Sequence, residues 1–234
     1  MQPKAVLDSI RCSRVADALG GQILRGGLVL IVGAQGTGKS TLAAELAARV
    51  SEHWASPQAG DLRVPGCPIY WLDGDQVAAS IVLPGIRGLF AEAGVDHWYE
   101  ERVKLIPEAL EIDGFADVMR AAVPDDARIL VVDSFEAWRA GLVGPLREHG
   151  GWLKVLVADA GAPGLEEAVG AADAVVIATG RRERPVALAK SQWRRTQPAV
   201  TWDRPSGAVE RTMADIRFRT QRLLAHLAAG NGGL

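Results

Sequence analysis

The stretch LVLIVGAQGTGKST, residues 28–41, constrains the fold of this chain more than any other. An unbroken apolar run ends in a glycine-rich turn, and STLAAELAARV (40–50) follows with apolar residues at helical spacing. A buried strand, a tight turn and a helix in immediate succession are the opening unit of an α/β sheet. The turn fits G-x-x-x-x-G-K-[ST], running from Gly33 through Gly36, Thr37 and Gly38 to Lys39, Ser40 and Thr41. Its glycines let the backbone curl until several N–H groups converge, and the helix start adds the positive end of its dipole. That arrangement suits phosphate oxygens.

The rest of the chain repeats the strand-helix alternation. PIYWLD (68–73), RILVVD (128–133), LKVLVAD (153–159) and AVVIATG (174–180) read as further buried strands, and 84–93 and 114–122 as helices. Strands this continuously apolar are buried on both faces, so the expected fold is a mainly parallel sheet flanked by helices. PVALAK (185–190) and AVTWD (199–203) are expected to close it as a C-terminal β-hairpin around a basic loop. Met213, Ile216, Leu223, Leu224 and Leu227 then mark a terminal amphipathic helix over about 212–229, with Thr212 and Asp215 as a capping box. With 234 residues, 48% of them apolar, the whole of 1–234 is expected to form one domain. No apolar run approaches the roughly 18 residues a membrane span needs, and no leader pattern opens the chain, so a cytoplasmic location is expected. Cys12 and Cys67, like the four histidines, are scattered without metal-ligand spacing.

If the turn holds a nucleotide, Lys39 neutralises the β- and γ-phosphates and Ser40 coordinates Mg2+. The chain has five lysines among its 26 basic residues, so a lysine at this position is not a generic surface charge. Asp133 ends an apolar run, which places a carboxylate at the carboxyl edge of a strand, where open α/β sheets bind ligands. It is expected to hold the magnesium through a water, next to Ser40. ATP and Mg2+ are therefore the expected cofactors.

LGGQILRGGLVLIVGAQGTGKST (19–41), YWLDGDQ (70–76) and VVDSF (131–135) together resemble the core of the RecA-like ATPases, particularly the RadA/KaiC-type and RepA-type branches. GAPGLEEAVGAADAVVIATG (161–180) and PVALAKSQWRRTQPAVTWDRPSGAVER (185–211) resemble the closing part of that core, so the likeness spans residues 18–211. The resemblance implies an oligomeric ATPase, usually a hexameric ring or filament, with ATP at subunit interfaces. It implies that Asp75 orients the attacking water, with Asp73 the runner-up, although the family generally has Glu there. It also implies that Lys190 reaches a neighbouring subunit's nucleotide. The second basic residue of that loop falls at Gln192, so Arg194 or Arg195 would replace it. A solvated hairpin tip is the alternative for this loop, and core cover is the alternative to an interface or adenine contact for Trp193.

Charge is uneven along the chain. Residues 181–222 hold eleven Lys/Arg against four Asp/Glu, a segment of +7 in a chain of net charge −2. RecA-like ATPases commonly act on single-stranded DNA through loops that here correspond to 134–152 and 159–171. The first carries Arg139 and Arg147, and the second has no Lys or Arg. Two readings follow: an ATPase acting on DNA in replication, recombination or repair, and a KaiC-like regulatory or scaffolding ATPase with a protein partner.

Overall fold

A computed structural model describes residues 7–9, 13–24, 26–54, 68–74, 82–92, 103–106, 129–134, 146, 152–183 and 185–191. The described chain opens with β1 (Leu7–Ser9), α1 (Arg14–Ala18) and β2 (Gln22–Leu24), and β1 and β2 pair antiparallel. The core elements follow as β3 (Leu28–Gly33), α2 (Lys39–Trp54), β4 (Ile69–Asp73), α3 (Leu83–Glu92), β5 (Val103–Ile106) and β6 (Ile129–Asp133). β7 (Leu153–Asp159), α4 (Leu165–Ala171), β8 (Ala174–Ala178) and β9 (Val186–Ser191) complete them.

Among the described residues, seven strands form one sheet in the order β5-β4-β6-β7-β3-β8-β9. All neighbours are parallel except β8 and β9. The expected parallel sheet is therefore present, with an antiparallel hairpin at its C-terminal edge. That hairpin pairs β8 with β9, the strand expected at 185–190. The segment 199–203 and the terminal helix at 212–229 lie outside the described residues, as does the helix expected at 114–122.

The alternation of each strand divides its side chains between two buried layers. Val29 and Ile31 join Trp71, Val131 and Val155 beneath α1, α2 and α3. Leu30 and Val32 join Leu72, Val132 and Leu156 on the other face, covered by α4 and Trp152. Burial on both faces is why these strands read as unbroken apolar runs. Parallel strands also bring their carboxyl ends to one edge, and the register sets Asp73 beside Asp133 and Gly33 beside Asp159.

Candidate functional site

The site is assembled at that carboxyl edge. β3 ends at Gly33, and the turn to α2 folds around the carbonyl of Ala34. That oxygen accepts hydrogen bonds from Thr37 Oγ1 at 2.8 Å and from Lys39 Nζ at 3.0 Å. Gly36 and Gly38 lie at φ 76° and 82°, a left-handed backbone that residues with a Cβ rarely adopt. Nothing lies within 4 Å of where a Cβ would stand on either, so both are required for conformation rather than for space. α2 starts at Lys39, and its first turns point backbone N–H groups and the dipole into the loop.

Ser40 and Asp133 are brought together across 93 positions of sequence: Ser40 Oγ donates to Asp133 Oδ1 at 3.1 Å. Asp133 is 3% exposed at the end of β6, and Asp73, its register partner on β4, is 2% exposed. The next residue, Ser134, takes φ 62°, unusual for a residue other than glycine. Gly74 N–H donates to the Asp133 carbonyl at 3.1 Å, which ties the chain just before Asp75 to the end of β6. Asp75 itself lies outside the described residues, as do Trp193, Arg194 and Arg195.

Asp159 is a site residue that neither the phosphate-loop pattern nor the family resemblance nominates. It ends β7, the strand between β6 and β3, and its Oδ1 accepts a charged hydrogen bond from Lys39 Nζ. The signal was available in LKVLVAD, an apolar run ending in Asp like the one that nominated Asp133. Three adjacent strands, β4, β6 and β7, thus end in carboxylates along the sheet edge that carries the phosphate loop, and Asp133 and Asp159 reach the loop itself.

The turn after β8 leans on the loop from the other side. Gly180, at φ 70°, has its Cβ position 3.3 Å from Thr37 Cγ2. Arg181 and Arg182, the first residues of the basic segment, are exposed there on the rim.

Lys190 is placed otherwise than expected. The family resemblance implies a reach outward to a neighbour, but the Lys190 ammonium points into its own chain. It donates to the carbonyls of Val169 at 2.9 Å and Gly170 at 3.1 Å, and the residue is 6% exposed. The cause is register: Lys190 pairs with Val175 near the amino end of β8, about 10 Å along the sheet from its carboxyl edge. There it meets the C-terminal carbonyls of α4, which have no partner within the helix.

The segment 159–171 also departs from expectation. It is a short turn followed by α4, with Ala162, Leu165, Ala168 and Val169 buried and Glu166 and Glu167 exposed.

A glycine-rich strand-to-helix loop, its lysine and serine, and a strand-end aspartate on a mainly parallel sheet define a P-loop nucleotide-binding core of the RecA-like class. The chain matches the model of the AAA domain family over residues 5–179, and it belongs to that family. Among solved structures it is similar to a KaiC-like protein from the hyperthermophilic archaeon Pyrococcus horikoshii OT3. That match has 20% identity and a TM-score of 0.54, over 81% of this chain and 89% of that one. It is also similar to the flagellar accessory protein FlaH of Methanocaldococcus jannaschii, at 15% identity and a TM-score of 0.51, over 74% of this chain and 80% of that one. At these identities the likeness is one of fold. No curated protein matches the chain by sequence. Among the described residues no helix is long and apolar enough to cross a membrane.

Proposed function

We propose that this single-domain chain is a Mg2+-dependent ATP hydrolase of RecA-like type, cytoplasmic, working as a homo-oligomer with ATP at subunit interfaces. The observation that carries this reading is the Ser40–Asp133 hydrogen bond of 3.1 Å beside the Lys39 ammonium. Hydroxyl and carboxylate oxygens are hard donors, and magnesium takes one or two protein ligands with phosphate oxygens and waters, so the pair fits the ion. Bound there, Mg2+ would neutralise charge on the phosphates during phosphoryl transfer to water.

The roles of the chain's own residues follow from their places. In this proposal the backbone N–H groups of Gly36, Gly38 and Thr41 face the phosphates with Lys39, Thr37 braces the loop through the Ala34 carbonyl, and Ser40 and Asp133, side by side, would hold the metal. Asp75, next to the tethered Gly74, orients the attacking water in this proposal, with Asp73 its neighbour on the same edge. With Lys190 turned inward, the basic group contributed across the interface falls to Arg194 or Arg195. The test is Mg2+-dependent ATP turnover by the full chain. Lys39→Ala and Asp133→Asn are each expected to lower it at least about 100-fold at little cost in melting temperature. Turnover surviving in both variants would reject the reading.

Action on single-stranded DNA is the client reading supported by the family resemblance and by the basic segment that begins at exposed Arg181 and Arg182. The exposed Glu166 and Glu167 favour the second reading, a KaiC-like regulatory ATPase with a protein partner, because that face repels a phosphate backbone. Several-fold stimulation of turnover by single-stranded DNA, weakening with added salt, supports the first; indifference to DNA supports the second.

A further inference from the structure

Asp159 stands in a relation to Lys39 that the phosphate-binding role of the loop does not require. The Lys39 ammonium has three N–H donors; one goes to the Ala34 carbonyl at 3.0 Å and another to Asp159 Oδ1. The lysine side chain is 12% exposed and the aspartate 43%, so the pair lies at the mouth of the loop with the lysine on the inner side. Phosphate can take the full charge of Lys39 only by displacing or sharing this carboxylate. Nor can Asp159 withdraw with its backbone. It is a register partner of Gly33 in the adjacent strand, and Ala160 N–H donates to the Gly33 carbonyl at 3.0 Å. Its side chain therefore stays beside the phosphate loop, and on that side of Lys39 an incoming phosphate meets a like charge.

We propose that Asp159 is an internal competitor of nucleotide phosphate for Lys39 and sets the affinity of the site. This rests on the reading of the loop as a nucleotide site. The carboxylate takes the place of a phosphate oxygen on Lys39, keeps the lysine ordered, and weakens nucleotide binding by the repulsion it leaves behind. Magnesium offsets that repulsion by adding positive charge on the same edge, so Asp159 also makes tight binding depend on the metal.

The experiment measures ADP dissociation constants by titration calorimetry, with Mg2+ and with chelator, for the wild-type chain, Asp159→Asn and Asp159→Glu. Asp159→Asn removes the charge and keeps the shape. It is expected to bind ADP about three- to tenfold more tightly than wild type, with the larger gain in chelator. Asp159→Glu restores the carboxylate and is expected to return affinity to within about twofold of wild type. A merely structural role for Asp159 moves affinity the other way, so Asn binding equal to or weaker than wild type overturns the proposal. An equal gain in both variants overturns it too, since charge would not be the cause. ADP binding by none of the three chains, each shown folded by its melting transition, overturns the nucleotide reading itself and this inference with it. Binding by Asp159→Asn alone supports both.

Discussion

Gly33 is where β3 becomes the phosphate loop, and its surroundings fix how large that residue can be. A Cβ on Gly33 would stand 2.6 Å from Thr37 Oγ1 and 2.7 Å from the carbonyl oxygen of Ala178. The first neighbour is a side chain that already donates to Ala34, and the second is backbone of the adjacent strand, so neither yields without cost. Gly33→Ala is expected to destabilise the chain by about 1–3 kcal/mol, the range for overpacking a tight interior. Moving Thr37 also distorts the curl that Lys39 depends on, so ADP affinity should fall with stability. Thermal melting in parallel with ADP titration checks this; an unchanged melting temperature would mean that the loop has room it does not show. Asp159 is the opposite case at the same scale: a side chain that fits well and acts by its charge.

Lys190 shows how an element decides what a residue is for. Lys190 ends the strand expected at 185–190, and the family resemblance gives it a reach toward a neighbour; in the sheet it lies in β9 as the ammonium that meets the carbonyl end of α4. Lys190→Met keeps the aliphatic stem and removes the donors. It is expected to cost about 1–3 kcal/mol, lowering the melting temperature by a few degrees with little change in turnover per folded molecule. Lost turnover at an unchanged melting temperature would instead restore the trans-acting role implied by the family resemblance. The same contrast explains what could be read in advance. β3, β4, β6, β7 and β8 were legible because burial on both faces leaves unbroken runs such as LVLIVG and ILVVD. β5 was not, because VKLI is a four-residue edge strand interrupted by exposed Lys104, and α4 hid in seven residues, LEEAVGA. Lys39, Ser40 and Asp133 stand out in the sequence because local patterns carry them. The Lys39–Asp159 pair does not, because it depends on β7 lying beside β3, and strand order is not written in any local spacing.

At the scale of the whole molecule, the sheet's two buried layers are apolar almost throughout among the described residues, and Lys154 is one of the buried charged residues, with a consequence for stability. It is 2% exposed on β7, between Leu28 of β3 and Leu130 of β6, with Asp173 the nearby carboxylate. Asp173 is itself engaged, accepting a hydrogen bond from Leu28 N–H at 2.8 Å. Burial lowers the Lys154 pKa from 10.5 to about 8, and Asp173 opposes that shift only in part. Below about pH 8 both folded and unfolded chains hold the proton, and the folded chain bears the full cost of a buried charge. Between about 8 and 10.5 the folded chain releases the proton before the unfolded one does, so this residue makes stability rise with pH across that window. Lys154→Met fills the same volume without a charge and leaves Asp173 its backbone donor. It is expected to stabilise the chain at pH 7 by about 1–3 kcal/mol and to remove the alkaline rise. Denaturant unfolding of both chains from pH 7 to 10.5 checks this through the difference between them, which cancels every other titrating group. That difference should be largest at neutral pH and close toward the alkaline end; two parallel curves would mean that Lys154 carries no buried charge to relieve.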